Sequence, residues 1–144
     1  QVQFRGGGNG AVTGTITSTG NNATQYNTSS DYRLKENVDY TWDATTRLKQ
    51  LKPVRFNWID DDTNTLEDGF LAHEVSSVVP NAVRGEKDDV YTEEEASDDM
   101  HINAGDIKRQ QLDHSKLVPL MVKAIQEQQT IIDDLKARIE KLES

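Results

Sequence analysis

The C-terminal end of the chain carries a seam that leaves few choices of fold. Val118, Met121, Ile125, Gln128, Ile132, Leu135, Ile139 and Leu142 follow one another at intervals of 3, 4, 3, 4, 3, 4 and 3 residues. That alternation keeps one face of an α-helix apolar with the repeat of a coiled coil. Seven of the eight positions are apolar, over roughly 37 Å of helix at about 1.5 Å per residue. No Gly or Pro interrupts the run after Pro119. Between the seam positions the last turns are too polar to sit inside a globule. The pattern therefore predicts a long helix that pairs with copies of itself. Ile at a with Leu at d favours two strands when the flanks are polar. Here Val122, Ala124 and Ile131 fall at e and g and widen the apolar face, which suits three helices better. Gln128 is a polar layer, able to fix register at some cost in stability.

The other end has a different composition. Residues 1–29 hold one charged residue, Arg5, and six of the nine glycines. Thr13, Thr15, Thr17 and Thr19 alternate with Gly14, Ile16 and Ser18, and a period of two in β-branched residues reads as a strand. Gly6-Gly7-Gly8 and Gly20-Asn21-Asn22 read as turns. So short a stretch buries almost nothing alone, and it reads as the last strands of a β-rich body. The chain opens on Gln1 rather than Met, as expected of a piece of something longer.

Composition breaks near Ser30, and charge dominates from there on. Trp42–Leu51 is predicted as a helix that stops before Pro53. Val54–Ile59 alternates apolar and polar as a half-buried strand does, and Asp60–Asn64 is a polar turn. Gly69–Ala72 is expected to return as its partner, followed by a short helix over Ala72–Val79 that ends at Pro80. Glu86–Asp99 carries eight acids against one lysine and is expected to project as an arm or hairpin. The expected fold class is α+β: an N-terminal β-strand fibre segment, a small mixed α/β domain with an extended arm, and a long C-terminal helix in a trimeric coiled coil. The expected boundaries are 1–29 for the end of the β-rich body, 30–111 for the mixed part with its acidic arm near 84–104, and 112–144 for the coil helix.

Composition also limits the chemistry. Apolar residues make up 34% and charged residues 28%, which suits an elongated or oligomeric shape better than a compact monomer. A net charge of −9 repels phosphate, so no nucleic-acid partner is expected. No apolar run reaches the ~18 residues of a membrane-spanning helix, and no membrane partner is expected. The absence of cysteine excludes disulfides, thiolate metal sites and a Cys nucleophile. Asp60-x-Asp62-x-Asn64 resembles the start of a calcium loop, but Thr65 and Leu71 stand where that loop needs Gly and Glu. His73, His101 and His114 lack metal-ligand spacing, and no Gly-rich phosphate loop leads into Lys-Ser/Thr. No metal or cofactor is expected. One constellation carries chemistry: Ser30-Asp31-Tyr32-Arg33-Leu34-Lys35-Glu36-Asn37 places a hydroxyl five residues before a lysine.

That octapeptide is followed by Leu48-Lys49-Gln50-Leu51-Lys52-Pro53 with Phe56 and Trp58, then by Gly69-Phe70-Leu71-Ala72-His73-Glu74-Val75. Ser115-Lys116-Leu117-Val118-Pro119-Leu120 with Ala124-Ile125-Gln126-Glu127 completes the order. Together, over residues 30–142, they resemble the C-terminal intramolecular chaperone domain of phage tailspikes, endosialidases and tail fibres. The eukaryotic myelin regulatory factor carries a related domain. His73 stands where many members have Gln. The resemblance implies a homotrimer that folds an N-terminal β-rich fibre and then cuts itself off just before the serine of the first motif. It implies Ser29–Ser30 as the scissile bond, Ser30 as nucleophile and Lys35 as its partner. It also implies a virion tail-fibre precursor assembled in the host cytoplasm, with the chaperone part released after cleavage and the mature fibre free to bind a host-surface receptor.

The chemistry is feasible for these residues. The Ser30 hydroxyl lies one residue from the Ser29 carbonyl, so attack through a five-membered ring is intramolecular. It gives an ester that water hydrolyses. An ordinary lysine, with pKa about 10.4, is protonated at neutral pH and needs desolvation or a nearby cation such as Arg33 to act as base. Folding and assembly can provide such a closed site. The alternative is a permanent trimeric fibre tip without protease activity. A hydrolase for outside substrates ranks below both, because the nucleophile adjoins its own scissile bond and no substrate pocket is readable.

Overall fold

The structure is a computed structural model that describes residues 2–6, 10–19 and 23–143. The turns expected at Gly7-Gly8 and Gly20–Asn22 lie outside these residues. The chain divides into two compact units, Gln1–Thr41 and Trp42–Ser144.

In the first unit, β1 (Val2–Gly6), β2 (Ala11–Thr19) and β3 (Ala23–Thr28) form one antiparallel sheet in that order. Ile16 stands opposite Val2 on one side and Tyr26 on the other. The Thr-rich alternation thus forms the central strand, as the period of two predicts. Gly14 is there for space: a Cβ would sit 3.0 Å from the Asn27 carbonyl oxygen. Asn27 donates from its side-chain amide toward the Thr15 and Thr17 hydroxyls at 3.4 and 3.5 Å. The described residues of this sheet include none that is buried, and Val2, Phe4 and Tyr26 are exposed. A 3-10 turn, Tyr32–Leu34, follows the sheet.

The second unit holds the core. α1 (Ala44–Leu48) starts where the Asp43 carboxylate accepts from the Thr46 N–H at 3.0 Å. It is shorter than the expected Trp42–Leu51, because Asp43 caps it and the chain leaves through tight turns at Gln50 and Leu51 before Pro53. β4 (Val54–Phe56) pairs antiparallel with β5 (Glu67–Gly69). The pairing ends early because Leu71 already caps α2 (Ala72–Ser76). The Phe56 ring lies over Gly69, where a Cβ would be 3.1 Å from it, and meets Trp58 edge-on at 5.1 Å.

β6 (Val83–Arg84) and β7 (Gln111–Leu112) close the base of an irregular hairpin. Its outgoing limb is the acidic stretch, bridged to the return limb at Val90–Ile107 and Ser97–Ile102. Lys108 pairs with Asp89 and Glu95 and sits over the Tyr91 ring.

α3 (Val118–Glu143) runs for 26 residues. Its first turns pack on α1, and Leu117, Leu120 and Ala124 enter a core with Ala44, Val75, Val78, Val79 and Ala82. The 3-4 seam lies on a different stripe. Val118, Met121, Ile125, Ile132, Leu135, Ile139 and Leu142 are all exposed in the single chain, between 42% and 86%. No helix among the described residues is long and apolar enough to cross a membrane.

Candidate functional site

The candidate site grows out of the end of β3. The Ser29 N–H donates to the Thr13 carbonyl at 3.0 Å, which carries the strand pairing one residue past Thr28. Ser29 is therefore tied to the central strand, and Ser30 is the next residue along. Two successive turn bonds, Leu34 N–H to Asp31 carbonyl and Lys35 N–H to Tyr32 carbonyl, both 3.1 Å, then wind the chain back. The winding returns Lys35 to Ser30: Lys35 Nζ lies 2.8 Å from Ser30 Oγ. The ammonium donates in this arrangement; as a neutral amine the same nitrogen can accept the hydroxyl proton. Both side chains are exposed in the single chain.

Asp31 and Arg33 build the turn. Asp31 accepts from the Arg33 N–H at 2.9 Å, and the Arg33 guanidinium forks onto the same carboxylate at 2.6 to 3.2 Å. The Arg33 side chain, and then its backbone N–H, holds the Asp31 carboxyl below the usual range, while Asp31 raises Arg33. The charge of Arg33 is thus met by Asp31. Sequence reasoning missed this pairing, although an Asp two residues before an Arg at a turn is a local signal for it.

Farther along, Glu127 of α3 caps the start of α1. Its carboxylate accepts from the Ala44 N–H at 3.0 Å, the Thr45 N–H at 2.8 Å and the Thr45 hydroxyl at 2.6 Å. With Asp43 on Thr46, the first three N–H groups of α1 all reach carboxylates. Glu127 lies in the last of the recognised sequence motifs, but its partner is more than 80 residues away in the chain, and no local pattern reports that.

The other candidates stand apart. Asp61 of the calcium-like stretch accepts from the Thr63 N–H, the Thr63 hydroxyl and the Thr65 N–H, as a turn-forming aspartate does. His73 and His114 line a groove with Phe56, Trp58 and Phe70, and His101 sits at the hairpin tip with φ +53°. Among the described residues, no three His, Cys, Asp or Glu side chains are grouped to hold a metal ion.

Residues 30–84 match the family profile described as chaperone of endosialidase. The matched span includes Ser30 and Lys35 and ends at Arg84, before the hairpin and α3. No curated protein matches the chain. The match supports an intramolecular chaperone role and a place in phage tail assembly. Over residues 30–84, the segment that begins at Ser30 is therefore similar to the chaperone-of-endosialidase family.

Proposed function

We propose that the chain is an intramolecular chaperone that trimerises, folds an N-terminal fibre, and then releases itself by cutting the Ser29–Ser30 bond. The observation that carries this reading is the 2.8 Å contact between Ser30 and Lys35 at the first residues of the family match. Lys35 takes the proton of the Ser30 hydroxyl as Oγ attacks the Ser29 carbonyl carbon. The Ser29–Ser30 C–N bond breaks, the Ser30 nitrogen takes a proton, and an ester remains. Water hydrolyses the ester, giving a Ser29 carboxylate and a free Ser30 hydroxyl.

Assembly supplies the timing. A lysine in water stays protonated at neutral pH, so the base becomes competent only in a desolvated site. The exposed α3 seam gives a parallel trimer its contact surface, and joining three chains makes later fibre pairing effectively intramolecular. The sheet β1–β3, which buries none of its described residues, gains its cover from the fibre body. Cutting off the coil afterwards removes the route back to monomers, and the fibre is held by its unfolding barrier. On this reading Ser30→Ala stays whole by intact mass and still sediments as a trimer. A monomer at micromolar concentration would rule out the trimeric chaperone. Normal processing of Ser30→Ala would rule out Ser30 as the nucleophile.

The second reading is a permanent trimeric fibre tip, favoured by the exposure of Ser30 and Lys35 in the single chain. It predicts a wild-type chain that stays whole.

A further inference from the structure

The unit Gln1–Thr41 includes no buried residue among those described. Two of its large apolar side chains flank the Ser30–Lys35 contact: Tyr32 is 81% exposed and Leu34 77%. Neither side chain builds the turn that bears it. The Asp31 carboxylate, the Arg33 fork and two backbone bonds do that. Apolar side chains that a turn does not need, set beside a reactive pair, mark a contact surface.

Charge says what that surface fits. In residues 1–41, Arg5, Arg33 and Lys35 balance Asp31, Glu36 and Asp39, so this unit has no net charge. The whole −9 of the chain falls on residues 42–144. Copies of the first unit therefore approach one another without the repulsion that opposes contacts through the rest of the chain. A short three-stranded sheet with no buried residue also needs cover from outside itself. A second copy of the same unit supplies apolar area at matched charge.

We propose that Tyr32 and Leu34 of one copy close over Ser30 and Lys35 of a second copy, so that each reactive pair is dried in trans. This rests on the cleavage reading above and names the side chains that dry the base. A lysine in water is protonated at neutral pH, and an apolar cover favours its neutral form. The other charged groups of the turn are Arg33, held by Asp31, and Glu36, next to Lys35 in the chain. Tyr32 and Leu34 are thus positioning residues that act through Lys35.

The test uses the whole chain. Leu34→Ser leaves the α3 seam untouched and should sediment as a trimer. Its cleavage at pH 7, followed by intact mass, should slow at least about tenfold, the scale of one leucine no longer buried. Leu34→Ile should cut as the wild type does. Above about pH 10, where much of any lysine is neutral even in water, the gap between Leu34→Ser and wild type should close. Mixed trimers decide whether the cover comes in trans. Co-expressed with Ser30→Ala, which keeps Leu34 but cannot cut, the Leu34→Ser chain should be cut faster than in trimers of its own, the two chains being told apart by mass. No gain in mixed trimers overturns the proposal, since the cover then comes from the same chain. A gap that persists above pH 10 overturns it too. Should Leu34→Ser fail to assemble, Tyr32→Ser in the same mixed trimers decides by the same gain or its absence. A wild-type chain that never cuts overturns the cover together with the cleavage reading, whereas equal rates in wild type and Leu34→Ser overturn the cover alone.

Discussion

Lys35 sits two residues from a guanidinium, yet that guanidinium is turned to Asp31. An exposed pair of this kind contributes little to stability, but it decides which charges the amine can feel. Arg33→Gln should therefore slow cleavage by less than about tenfold, about 1.4 kcal/mol of barrier. Lys35→Arg should abolish it, because a guanidinium stays protonated. Ser29→Ala should cut as the wild type does, since on the proposed reading Ser29 supplies only the carbonyl. Intact mass of the three purified variants separates these outcomes. At this scale the sequence was informative where the geometry is local. Five residues through a tight turn bring Ser30 and Lys35 together, and that spacing is visible in the chain. The Asp31–Arg33 fork was equally local and was passed over in favour of Arg33 as a free cation.

Among the elements, α3 carries a buried stripe in the core and an exposed apolar seam, and substitutions should separate their roles. Leu120 is 3% exposed in the core, so Leu120→Ala should cost about 2–5 kcal/mol and lower the melting temperature. Ile132 is exposed in the seam, so Ile132→Asp should leave the core intact and shift sedimentation from trimer towards monomer. The start of α1 adds a pH dependence. Asp43 is held below the usual carboxylate range chiefly by the Thr46 amide, and Glu127 chiefly by the Thr45 hydroxyl. A depressed carboxyl stabilises the fold above its unfolded value and loses that contribution as pH falls through its folded value. The α1 attachment should thus be complete at neutral pH and weaken below about pH 4. Thermal melts against pH should show a shallower acid loss in Glu127→Gln. The helical seam was legible because its period is written within one element. The short elements were less so. β4 ends at Phe56 because its partner β5 has only three residues, and α1 ends early because Asp43 and Lys49 bound it. The Glu127 contact joins distant parts of the chain and left no periodic trace.

In the molecule taken whole, a sheet with no buried residue among those described stands at one end of the chain and an uncovered apolar seam at the other. Both surfaces make physical sense in a trimer that carries a fibre. The acidic hairpin, which holds no buried residue between Arg84 and Gln111, is expected to contact the fibre or a neighbouring subunit. Replacing residues 86–109 by a short turn should leave trimers intact and lower the yield of correctly folded fibre. Unchanged yield would remove that role. The measurement that bears most directly on self-release is the intact mass of the purified wild-type chain over time, with N-terminal sequencing of its product. The expected result is a fragment beginning at Ser30, formed at a rate independent of concentration once trimers exist, and absent in Ser30→Ala. A trimeric wild-type chain that stays whole, or a product that begins at any other residue, would contradict it.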